Sequence, residues 1–149
     1  MRIKEYILQF IWNYQLFSNF QFRSTQGETI EILDYGTWNT DQGPDFLFAK
    51  IKIDSTVFIG HIEIHTKTSG WILHNHDNNT HYDPLILHVV YQDDLDIDSL
   101  KHKNIPTLEL KDYINPTIFK HYETISREFI FIPCENLIDK KMIPLFFSE

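Results

Sequence analysis

Residues 46–66 read FLFAKIKIDSTVFIGHIEIHT, and this stretch decides the fold. Side chains along a strand point alternately to the two faces of a sheet. Residues 46–53 and 56–66 both carry strand-forming side chains, and Asp54-Ser55 between them has the length of a tight turn. The spacing predicts an antiparallel hairpin. On its second strand His61, Glu63, His65 and Lys67 share one face, and Ile62, Ile64 and Thr66 share the other. A stripe made only of ionisable residues is either the solvent face of a sheet or a site.

Working outward, residues 29–33 predict a strand, entered by a turn at Thr25-Gln26-Gly27 and followed by a polar loop over 34–45. Residues 85–91, LILHVVY, are nearly all apolar, as in a strand buried on both faces. Residues 71–84 predict a short helix or helical turn that ends before Pro84. Near the start, Tyr6, Ile7, Phe10, Ile11, Tyr14 and Phe17 recur at helical spacing, with Ser18 and Asn19 as the stop. Residues 93–98 predict a solvated acidic loop and residues 105–110 a short strand. Asn115-Pro116 opens a helix reaching about Arg127. The apolar stretch 129–149, broken by Pro133 and Pro144, has no clear period. The expectation is an α/β fold, a mixed sheet flanked by helices, in one domain over residues 1–149.

Composition narrows the function classes. The 149 residues are 42% hydrophobic and 15% aromatic, enough for a core. One cysteine, Cys134, excludes a disulfide scaffold or a cysteine-rich zinc module. Thirteen Lys and Arg against 21 Asp and Glu leave a net charge of −8. That balance disfavours non-specific nucleic-acid binding, which needs cations against phosphate, but not a nuclease with metal-binding carboxylates. No stretch approaches the roughly 20 apolar residues of a membrane span, so a cytoplasmic protein is expected, with no membrane partner. Lys101, His102 and Lys103 and the Lys140-Lys141 pair read as solvated surface.

Asp45 begins the first hairpin strand after Gly43-Pro44, where its carboxylate is expected to meet that of Glu63. Two carboxylates forced together in a partly buried place repel unless a cation lies between them. Hard divalent ions such as Mg²⁺ take oxygen ligands. A basic residue nearby, His65, Lys67 or Lys50, then serves the attacking water. Asn39 and Asp41 are expected to shape the loop before Asp45 by Asx-turn bonds. Trp38 and Trp71 border the site, as packing or as platforms for a base. Glu31 is a supporting carboxylate or a surface residue.

Pro44-Asp45, a spacer and then Glu63-x-His65 resembles the PD-(D/E)xK signature of the restriction-endonuclease-like phosphodiesterases. The expected order of helix, three-strand meander, helix and strand is similar to that superfamily's core, here followed by a further strand and helix. The resemblance implies a metal-dependent nuclease acting on nucleic acid. By motif, Asp45 and Glu63 would hold Mg or Mn, and His65 stands at the usual lysine position, with Lys67 two residues on. The alternative is a non-catalytic binding or scaffold domain of the same fold. The strings NTDQGPDF (39–46), HIEIHTK (61–67), SGW (69–71) and LILHVVY (85–91) together also resemble a bacterial family of unknown function. Its members extend beyond residue 149, which would make this chain their N-terminal part.

A second cluster is denser still: His61, His65, His74, His76, His81 and His88 fall within 28 residues. Their spacing fits no standard zinc motif. They read as a wet polar loop with His88 in the core, as substrate contacts by His74, His76 and Trp71, or as a transition-metal site in which His65, His74 and His76 converge.

Overall fold

The structure is a computed structural model and describes residues 2–128. The expectation for residues 129–149, Cys134 and Lys140-Lys141 included, lies outside them.

Helix α1 (Glu5–Tyr14) forms where sequence periodicity places it and buries Ile7, Leu8, Phe10, Ile11 and Trp12. It stops earlier than Ser18. Gln15 turns left-handed at φ 56°, and its N–H meets the carbonyls of Ile11 and Trp12. Such a cap closes the last turn and frees the chain to turn.

Six strands follow one another across a mixed seven-stranded sheet in the order β1 (Phe22–Arg23), β2 (Thr29–Asp34), β4 (Phe46–Ile53), β5 (Thr56–Lys67), β6 (Leu85–Gln92), β7 (Thr107–Glu109). The seventh, β3 (Thr37–Trp38), pairs beside β4. The β4–β5 hairpin is antiparallel as expected, closing through Asp54 at φ 51°. Strands β6 and β7 run parallel to β5. The crossover from β5 to β6 holds helix α2 (Gly70–Leu73) and two 3₁₀ turns, His76–Asn78 and Thr80–Tyr82. The fold is thus a mixed α+β arrangement. Helix α3 (Asp98–His102) precedes β7, and helix α4 (Thr117–Glu128) follows it.

Among the described residues, apolar side chains collect in two clusters. The larger joins α1 to Phe46, Ile51, Ile62, Ile64, Leu87, Val89, Leu108 and Phe119. The smaller comprises Trp71, Tyr82, Leu85, Ile97, Leu100 and Ile105. The run 93–98 is not a purely solvated loop. The Ser69 N–H and hydroxyl donate to Asp94, Asp98 starts α3, and Ile97 is buried in the smaller cluster. Gly60 allows β5 and β6 to meet: a Cβ there would stand 2.3 Å from the Pro84 carbonyl oxygen.

Candidate metal centre

Two irregularities in the sheet build the site. Pairing of β4 with β5 slips between Phe46 and Ala49, and Phe48 there has φ 56°. A bulge of this kind bends a strand and re-aims its side chains. Asp45, at the mouth of β4, is brought against Glu63: its N–H donates to Glu63 Oε2 at 3.1 Å, and the Ile64 N–H donates to Asp45 Oδ2 at 2.9 Å. Gln9 of α1 donates its Nε2–H to Asp45 Oδ1 at 2.8 Å. The second slip lies between His61 and Ile62, where β5 meets β6. His61 is engaged away from the cluster: its Nδ1 accepts the Phe48 N–H, and its ring packs edge-on against Phe48.

Glu63 and His65 do share a face, and both are buried, at 5% and 0% exposure. The crossover brings His74 and His76 to the same point. His65 Nε2 lies 3.1 Å from His74 Nδ1 and 3.1 Å from His76 Nε2. Glu63 Oε1 lies 3.1 Å from His76 Nε2 and 3.5 Å from His65 Nε2. One ligand atom from each of the four residues falls within 4.8 Å of the others. Behind them, His88 presents Nε2 to His65 Nδ1 at 2.8 Å. Trp71 closes the wall, its ring on His76 and His88 and its Nε1–H on Asp77 Oδ1.

The electrostatics follow from burial. Loss of water pushes the Asp45 carboxyl up to about 7, helped by the charge of Glu63. Burial likewise raises Glu63 to about 8, with Glu5 adding to it. Burial, with His88, His76 and His74 adding to it, lowers His65 to about 2. Burial also lowers His76, and takes His88 to about 3. His65, His76 and His88 are therefore neutral at physiological pH, and the nitrogens of His65, His74 and His76 crowd one another and the Glu63 carboxyl. One nitrogen proton can serve only one such contact, whereas a single cation satisfies all four atoms.

Glu63, His65, His74 and His76 are thus gathered, with Asp45 joined to them through its N–H on Glu63, and Lys67 is not: it is exposed on β5, with Asp94 nearby. Lys50 is exposed on β4. Trp71 is fully buried and offers no face to a base, while Trp38 stacks on Phe46. Glu31 is exposed, paired across the sheet with Lys52. Asn39 makes the expected loop bonds, donating to the Gln42 and Pro44 carbonyls and accepting from the Asp41 N–H. Sequence reasoning missed Glu5 and Gln9, whose spacing of four places both on one helix face.

The model of one protein family, described as "Protein of unknown function (DUF2851)", matches residues 5–148. The chain belongs to that family. The match takes in every residue of the cluster, from Gln9 on α1 to His88 on β6. No curated protein and no solved structure matches the chain. Among the described residues of this family member, no helix is long and apolar enough to cross a membrane.

Proposed function

We propose that the chain is a metal-dependent phosphodiester hydrolase acting on nucleic acid. One observation carries the reading: Glu63, bonded by the Asp45 N–H, shares one focus with the imidazoles of His65, His74 and His76. The choice of phosphodiester rests on the resemblance of Pro44-Asp45…Glu63-x-His65 to the restriction-endonuclease-like signature. The element order supports it: a helix, the antiparallel β2–β4–β5 meander, a helical crossover and a parallel strand.

A divalent cation, Mg or Mn by the resemblance, would be held by the carboxylates of Asp45 and Glu63. A bound divalent cation supplies Lewis acidity toward a phosphoryl oxygen and acidifies water. The chain's own part is to hold geometry. Gln9 and the Ile64 N–H orient Asp45, and the Asp45 N–H orients Glu63. In the reaction a water oxygen bonds to phosphorus and the bond to the leaving alkoxide breaks. The water's proton passes to solvent, and the alkoxide takes one up.

His65 at the lysine position is a neutral buried imidazole, which favours a second reading, a non-catalytic domain of the same fold. The deciding assay follows cleavage of labelled single- and double-stranded DNA and RNA with Mg²⁺, Mn²⁺ or Zn²⁺. The expected result is metal-dependent cleavage that falls more than about 100-fold in Asp45→Asn and Glu63→Gln, beyond what loss of an outer-shell partner costs. No cleavage by the wild type with any of these metals on any of these substrates overturns the hydrolase reading.

A further inference from the structure

We infer that Glu63, His65, His74 and His76 form a mononuclear transition-metal site with three nitrogen ligands and one oxygen, in which His88 positions His65. The inference deepens the hydrolase reading, on which it rests, by naming the class of metal and three further ligands, His65, His74 and His76, beside Glu63. Four ligands at about 2.0–2.1 Å from one tetrahedral ion stand about 3.3 Å apart. The contacts of 3.1, 3.1, 3.1 and 3.5 Å among these atoms bracket that spacing. Imidazole nitrogen suits Zn²⁺, Fe²⁺, Co²⁺ and, more weakly, Mn²⁺, whereas Mg²⁺ favours oxygen and water.

The backbone is arranged around this focus. Asn75, between the two crossover ligands, adopts φ 54°, a left-handed conformation that asparagine tolerates better than other non-glycine residues. It lets His74 and His76 reach one point from neighbouring turns. Gly70 lets α2 lie against the His65 ring, since a Cβ there would stand 2.9 Å from His65 Cδ2. For His65 to bind through Nε2, its proton must sit on Nδ1 and be donated to Nε2 of His88. The His88 proton is then on Nδ1, a buried atom with no hydrogen-bond partner among the described residues. The chain tolerates that unpaired group in holding His65 in the ligand tautomer.

The test uses tag-free protein stripped with chelator and then equilibrated by dialysis with Zn²⁺, Mn²⁺ or Mg²⁺, with bound metal counted per chain. The inference expects one Zn²⁺ per chain, not displaced by a hundredfold excess of Mg²⁺. Exposed His74 is the safest substitution for folding, and His74→Ala is expected to weaken binding at least 10-fold, with His74→Cys restoring much of it. His88→Ala, acting through His65, is expected to weaken binding by about 10–100-fold. Absence of stoichiometric Zn²⁺ in the wild type overturns the site, as does binding unchanged in both His74→Ala and His76→Ala. Mg²⁺-supported cleavage surviving in those two variants overturns this site while leaving the hydrolase reading intact. Tight Zn²⁺ binding without cleavage does the reverse.

Discussion

Stripped protein at pH 8 is expected to gain about 8–16 °C in melting temperature when free Zn²⁺ reaches a thousand times its dissociation constant. That is about 4 kcal/mol of linkage for a domain of this size. Glu63→Gln removes most of the gain, because it replaces the one anionic ligand. Without metal the same substitution acts the other way. Glu63 and Asp45 have folded values near 8 and 7, above the ordinary 4.5 and 3.8. The unfolded chain therefore releases these protons first. Their contribution to stability is complete below about pH 4 and is lost as pH rises through 7 and 8. His65 and His88 are depressed from 6.5, so their contribution is lost as pH falls below 6.5. The two effects oppose each other below pH 6.5 and only the carboxyl loss remains above it. Metal-free wild type should lose melting temperature between pH 6.5 and 8.5, and Glu63→Gln should flatten that decline. A wild-type decline that Glu63→Gln leaves unchanged would show that Glu63 is not an uncompensated buried carboxyl.

The second large effect is on folding. Trp71→Ala is expected to destabilise the chain by about 3–5 kcal/mol, the usual result of emptying a fully buried indole site. Trp71 has no exposed surface, it joins the smaller apolar cluster, and it backs His76 and His88. Trp71→Phe keeps most of the packing and gives up the Nε1–H bond to Asp77, worth about 1 kcal/mol. Urea denaturation midpoints measure both. A loss under about 1 kcal/mol in Trp71→Ala would mean that the crossover does not pack on the sheet as described.

The sheet was legible where side-chain patterns extend over several residues. Strands β4, β5 and β6 lie within a residue of where alternation and the LILHVVY run put them. Strands β1 and β3, two residues each, carry no such signal, since only pairing to β2 and β4 defines them. The stripe rule held for Glu63 and His65, whereas His61 is taken up by Phe48, whose N–H reaches its ring where β4 is bulged. Lys67 keeps the parity, but near the end of β5 its side chain remains exposed. The convergence of His74 and His76 depends on one left-handed residue and on the crossover's path. Neither has a sequence period, so spacing left those histidines open between substrate contact and metal ligand.

The most direct test of the metal centre is anomalous diffraction from crystals grown with Zn²⁺. The account predicts one strong peak about 2.0–2.2 Å from Glu63 Oε1, His65 Nε2, His74 Nδ1 and His76 Nε2. A peak held by Asp45 and Glu63 without the imidazoles, or no peak among these residues, would contradict it.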